Sequence, residues 1–288
     1  MLRKLSFLLR ENPRLLVGGG IVLLLFIACL IGFFYPYETA LAYGKAPRNL
    51  GPSFSYWLGT DDTGQSILTL LIKGTESFFL PGLFATAVAL FGGLLLGSLA
   101  GYYGGWFAHV GRYISALINS FPNLILILLC QTVFGTNMTM LAGLVGLTFV
   151  PHISDEIKRK VAQLKAEEFI LAAEAHGLKD LSILFYHIVW LHCFSLVCRQ
   201  IVYLWGYLII LETSLNYIGG GVLQSGFSWG KMLFDYRSGL IYGKYYQPLV
   251  VTVVIMFTMT GVYLLAEGLL RWNKGEGAYF EEEQKESA

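Results

Sequence analysis

Residues 167 to 181 read EEFILAAEAHGLKDL. They form a polar island in a chain that is 55% hydrophobic and only 14% charged. What the island does depends on whether its surroundings cross a membrane. A mean hydropathy of +0.60, with charge far below the ~25% of an ordinary soluble domain, indicates an integral membrane protein. The net charge of +1 argues against a nucleic-acid partner. The 33 glycines suit membrane helices whose backbones approach closely. Cys29, Cys130, Cys193 and Cys198 lie in apolar runs without CxxC spacing and read as small hydrophobes.

A bilayer core requires ~20 apolar residues per helix, and the sequence offers Leu15–Tyr35, Phe78–Tyr103, Arg112–Phe134, Met138–Pro151, Ile188–Leu215 and Gln247–Leu270. The first is too long for a signal peptide, and no small-x-small cleavage site follows it, so it reads as an uncleaved helix. Ile153–His187, which contains the polar island, cannot span. With the N-terminus inside, thirteen of the lysines and arginines fall in inner segments and six in outer ones. That bias predicts six spans with both ends cytoplasmic, and it places the island in the cytoplasm. The acidic tail with Glu281, Glu282, Glu283 and Glu286 reads as a solvated end.

Within the island, the residues from Ser154 or Asp155 to His176 favour helix. Gly177 has the position of a helix C-cap, and Asp180 is placed to start a second short helix. Phe169, Ile170, Ala172 and Ala173 make an apolar patch beside Glu167, Glu168 and Glu174, where small alanines admit a partner's surface. A docking element and a plain connecting loop both fit this pattern.

The same residues carry a resemblance. Ala172, Ala173 and Gly177, followed by Leu178, Asp180, Leu181, Ile183, Leu184, His187 and Ile188, resemble the EAA coupling loop of ATP-binding-cassette importer permeases of the dipeptide, oligopeptide and nickel family. LGTDDTGQSILTLLIKG (58–74), AGYYGGW (100–106), SFPNL (120–124), LETSLNYIGGGV (211–222) and SWGKML (228–233) are similar to further blocks of that family, in the family's order. The chain resembles the shorter, C-type permease of the pair, since its first outer loop has only about forty residues. Three positions depart from the pattern. Leu171 replaces the leading glutamate of the loop, Trp190 replaces the proline closing its second helix, and Gln65-Ser66 replaces an Arg-Asp pair. Glu168, three residues before Leu171 on the same helical face, is placed to compensate for the lost glutamate.

The resemblance implies an all-α integral membrane protein with six transmembrane helices and a cytoplasmic coupling loop, the type I importer permease fold. The chain then divides into a cytoplasmic N-terminus (1–14), a first helix (15–35), an extracytoplasmic loop (36–77), a five-helix core (78–270) with the coupling loop at 153–187, and a cytoplasmic tail (271–288). It further implies a homologous second permease completing the pore, one or two cytoplasmic ATPases using ATP and Mg, and an extracytoplasmic solute-binding protein, in the inner membrane of a bacterium. Glu168, Ala172, Ala173, Gly177, Leu178 and Asp180 are the residues it assigns to ATPase coupling. No GxxxxGK[ST] phosphate loop is present, in keeping with a chain that holds no cofactor and is not itself an enzyme.

GFSWG (226–230) fits a hydrolase elbow on paper. However, Ser228 is extracytoplasmic in this topology, whereas His109, His152, His176, His187 and His192 lie at or near the opposite face, and no triad closes across ~30 Å of hydrocarbon. Gly93, Gly97, Gly101 and Gly105 recur every four residues and predict a close-packing ridge, with a pore-lining ridge as the alternative. Arg199 and Glu212 are charged inside the fifth span, where a charge is expensive and marks a function. Eleven residues into that span, about 16 Å at the helical rise, Arg199 is expected near mid-membrane. Two roles stand open for it, the translocation path together with Glu212, or a pair with an acid on the partner permease. The function expected is a permease subunit of an ATP-driven importer of peptides or similar solutes. The alternative is an ion-coupled secondary transporter or channel working without an ATPase, for which Arg199 and Glu212 speak.

Overall fold

The computed structural model describes residues 12–34, 46–134, 138–218 and 227–287. Arg3, Lys4 and Arg10 of the expected basic N-terminus lie outside the described residues, as do 36–45 of the first outer loop and 219–222 of the LETSLNYIGGGV block. The described residues are helical apart from turns and one isolated bridge, Thr60 with Ser66. In chain order the helices are α1 (Pro13–Phe34), α2 (Ile67–Gly74), α3 (Glu76–Tyr102), α4 (Gly105–Asn119), α5 (Asn123–Phe134), α6 (Met138–Lys165), α7 (Glu168–Ala175) and α8 (Asp180–Ser182). A π-helical stretch, Ile183–Trp190, then leads to α9 (Phe194–Ile218), α10 (Trp229–Ile241) and α11 (Tyr246–Ser287).

Four helical runs among the described residues are long and apolar enough to cross a membrane: α1, α2–α3, α9 and α11 up to Leu270. A fifth is added if α4 and α5, bent by 72° about Ser120–Pro122, count as one broken span. The expected third span at 112–134 is therefore two helices. Pro122 removes a donor and disfavours helix at Phe121, which breaks the rod. The expected fourth span, 138–151, is the first half of a continuous 28-residue helix, α6, which runs on through Pro151 into charged sequence. The fifth span begins at Phe194 rather than Ile188, because the π-helical stretch takes up the residues between. The backbone of α11 continues as helix through the tail expected at 271–288.

The glycine spacing decides how the bundle closes. Among the described residues, helix α3 packs along α6 more extensively than any other pair of helices packs. A Cβ added at Gly93 would sit 2.5 Å from Ile153 Cγ2, one at Gly97 would sit 2.6 Å from the Ser154 carbonyl oxygen, and one at Gly101 would sit 2.8 Å from that of Lys158. In lipid, helices gain little from excluding water, so this backbone-to-backbone fit holds the pair together. The ridge ends there. Gly105 starts α4 with φ +44° and has no neighbour within 4 Å of its would-be Cβ. Helices α1 and α11 meet through Gly18, Gly261 and Gly268 in the same manner. Arg14 pairs with Glu267 at 3.0 Å and Asn12 Nδ2 donates to the Gly268 carbonyl at 2.8 Å.

Candidate functional site

Helix α6 ends where Lys165 Nζ donates to the Tyr102 carbonyl at 2.6 Å and lies 4.5 Å from the Tyr102 ring centroid. The last turns of α3 and α6 are thereby tied together. A cation in the final turn of α6 also faces the negative end of its dipole. The chain turns at Ala166–Glu167, so the single helix expected from Ser154 to His176 is two helices with a break. Helix α7 follows and is stopped by Gly177, whose φ is +75°. Leu178 N donates to the Ala173 carbonyl at 3.3 Å, and Gly177 N to that of Glu174 at 2.9 Å. These are the crossed bonds of a Schellman cap, and a glycine enters its left-handed position without Cβ strain. Asp180 then opens α8.

One face of this unit is buried. Ile170 is 1% exposed and Ile183, Leu184 and Ile188 are fully buried, in one cluster with Ile153, Ile157, Val161 and Leu164 of α6. Half-buried Ala173 packs against the same cluster. The other face is open: Glu168, Ala172, Gly177 and Asp180 are exposed, beside exposed Leu171, Leu178 and Leu181. Of the residues the sequence assigned to coupling, all but Ala173 thus share an outward, mixed apolar and acidic surface. Trp190, which carries a backbone N–H where the family has proline, is exposed, and the helical ladder runs through it. Phe169 stacks on His192 with centroids 5.0 Å apart, so α7 also touches the approach to α9.

Arg199 sits in the second turn of α9 and donates from Nη2 to Glu156 Oε2 of α6 at 2.8 Å. Its depth is about 8 Å from the helix start at 1.5 Å per residue, not the 16 Å expected, because α9 starts late. Its acidic partner is on its own chain. Glu156 Oε1 accepts a second bond, from Arg159, at 2.6 Å. Glu156 was not singled out from the sequence; its spacing to Arg159 marks a surface helix pair, and only packing brings Arg199 to it.

Glu212 lies thirteen residues further along α9, about 20 Å away along the axis, so it and Arg199 do not form one site. It is buried and accepts from Asn216 Nδ2 at 2.8 Å. A small cavity of about 50 Å³ adjoins it, lined also by Ser77, Pro81 and Leu208. Ser228, the serine of the hydrolase-like GFSWG, caps α10 by accepting from Lys231 N at 3.0 Å, an ordinary N-cap role. Lys165 and Ser228 sit at opposite ends of the bundle. Lys165 meets the last turn of α3, and Trp229, next to Ser228, donates to Leu71 in α2 just before α3 begins.

Comparison with known proteins gives the family of the chain. Residues 93–272 match the binding-protein-dependent transport system inner membrane component family. The chain is 32% identical over 264 residues to the dipeptide transport system permease protein DppC of Alkalihalophilus pseudofirmus, covering 91% of this chain and 85% of that one. It is 28% identical over 261 residues to the glutathione transport system permease protein GsiD of Pectobacterium atrosepticum, covering 91% and 86%. Against DppC of Bacillus subtilis it is 24% identical over 261 residues, covering 91% and 81%. With its family matched over most of the helical core and across the whole pinned loop, the chain belongs to the binding-protein-dependent transport system inner membrane components, the permease subunits of ATP-binding-cassette importers.

Proposed function

We propose that this permease is one half of a translocation pore for short peptides, with six spans and both ends in the cytoplasm. It works beside a homologous second permease, on cytoplasmic ATPases that consume Mg-ATP, and with an extracytoplasmic binding protein that delivers the solute. The chain itself carries out no chemistry; it converts movement of the ATPases into a change of access. The observation that carries this reading is the two-faced loop of α7, Gly177 and α8. Its outward face, Glu168, Leu171, Ala172, Leu178 and Asp180, suits a groove on a partner, while Ile170, Ile183, Leu184 and Ile188 bind it to α6. A displacement of the loop is thus passed to the α3–α6 pair and, through the Glu156–Arg199 pair, to α9.

Short peptides as the solute are supported by the relatives, which are named for transport of dipeptides and of glutathione, both molecules with a free amino and a free carboxyl group. The ion-coupled alternative is weakened by the neutralisation of Arg199 within the chain, which leaves Glu212 as its remaining support. The test is co-expression with the candidate ATPases. Wild-type complex is expected to show peptide-stimulated ATP hydrolysis, and Ala172→Arg is expected to abolish it without loss of membrane insertion. Peptide uptake that persists with the ATPases absent would refute this reading.

A further inference from the structure

At the end of the bundle away from the coupling loop, the Asp61–Gln65 turn and α10 enclose an open cavity of about 300 Å³ lined by Asp61, Asp62, Gln65, Lys231, Asp235 and Tyr236, among others. The turn is built by Asp61. Its Oδ1 accepts from Thr63 N at 2.9 Å, Thr63 Oγ1 at 2.7 Å and Gln65 N at 2.8 Å, so this carboxylate is largely committed to backbone geometry. Asp62 and Asp235 remain, and among the described residues that line the cavity Lys231 is the one cation, so the lining is net negative. Burial raises the Asp235 carboxyl above the usual range, Lys231 and Arg237 oppose that, and Asp62 and Asp61 add to it. A bound cation would relieve this cost.

Two further groups make this more than an acidic cluster. Tyr236 is 5% exposed and Gln65 7%, and the Tyr236 hydroxyl and Gln65 Nε2, both on residues lining the cavity, have no hydrogen-bond partner among the described residues. Buried polar atoms without partners are rare and costly. A bare cation would satisfy the carboxylates and leave the Gln65 donor orphaned. A group that carries an ammonium next to a carbonyl oxygen would satisfy both sets.

We propose that this cavity is a binding site for the amino-terminal residue of a short peptide, its ammonium held by Asp62 and Asp235 and its first carbonyl accepting from Gln65 and Tyr236. The site rests on the reading of the chain as a peptide permease and adds to it a place on the outer face that holds the peptide once it is delivered. The peptide amino terminus, rather than a lysine side chain of a docking protein, is the occupant because a lysine ammonium ends an aliphatic stem and brings no acceptor for Gln65.

The test is calorimetric titration of the assembled membrane complex, in the absence of binding protein, with Ala-Ala, N-acetyl-Ala-Ala and n-propylammonium. Wild-type complex is expected to bind Ala-Ala, to bind N-acetyl-Ala-Ala at least about tenfold more weakly, the usual scale for losing a charge-assisted bond, and to bind n-propylammonium, which lacks the carbonyl acceptor, severalfold more weakly. Asp62→Asn with Asp235→Asn is expected to weaken Ala-Ala by a similar factor, and Tyr236→Phe by severalfold. Lys231→Met, which removes the competing cation, is expected to tighten Ala-Ala, a gain that a damaged protein does not give. Equal affinity for the acetylated peptide, or an unchanged double variant, overturns the site. Binding of n-propylammonium as tight as Ala-Ala overturns the assignment to a peptide and points to a lysine. None of these results bears on peptide-stimulated ATP hydrolysis, so the site falls separately from the transport function.

Discussion

Arg199 of α9 and Glu156 of α6 are joined at 2.8 Å, and Glu156 holds Arg159 as well, at 2.6 Å. The two partners are therefore not equivalent. Removing Arg199 leaves Glu156 paired, whereas removing Glu156 strands an arginine whose side chain is only 16% exposed. Breaking a buried pair costs about 3–5 kcal/mol, and exposed pairs are worth about 0–1. For this partly buried one, Glu156→Gln is expected to cost on the order of 2 kcal/mol more than Arg199→Gln. Thermal unfolding of the purified complex measures the difference; equal losses would remove the argument.

Coupling is expected to separate from folding at adjacent alanines. Ala172 is exposed and Ala173 packs against the core cluster. Ala172→Arg is therefore expected to abolish ATPase stimulation with normal complex yield, while Ala173→Arg is expected to lower the yield itself. Gly177→Val forces a β-branched residue to φ +75°, a strain of about 1–3 kcal/mol, and is expected to disturb the loop and lose coupling. Full stimulation in Ala172→Arg would show that the ATPase docks elsewhere.

The α3–α6 contact predicts a graded glycine series. Gly97→Val meets the Ser154 carbonyl oxygen and Ile157 and is expected to prevent folding, since overpacking typically costs about 1–3 kcal/mol and backbone cannot yield as a side chain does. Gly19, with nothing near its would-be Cβ, is expected to accept alanine without loss. Expression level and thermal stability of the two variants check this; a stable Gly97→Val would mean that the helices can separate at no cost.

Orientation is open to cysteine labelling, and the structure chooses the positions. Thr60 and Ser228 are 1% exposed and unsuited to a probe, whereas Phe54 at 99% and Tyr242 at 81% are accessible. Phe54→Cys and Tyr242→Cys are expected to label in intact cells with an impermeant maleimide, and Lys165→Cys only after the membrane is opened. Labelling of Lys165→Cys from outside would reverse the topology.

Local chemistry in the chain determined much of this protein. Apolar runs of membrane length announced four of the six expected spans, the four-residue glycine spacing announced a close-packing ridge on α3 up to Gly101 but not its partner, and Gly177 announced the loop's cap, because helix periodicity and a left-handed turn are properties of neighbouring residues. Other features depended on residues far apart in sequence. Glu156 meets Arg199 across 43 positions, Ala173 turns inward while Ala172 turns outward, and Asp62 comes to share a cavity with Asp235. These follow from how α6, α9 and α10 are rotated about their axes when they pack. Such rotations are set by the sum of all interhelical contacts, and no short stretch of sequence contains that sum.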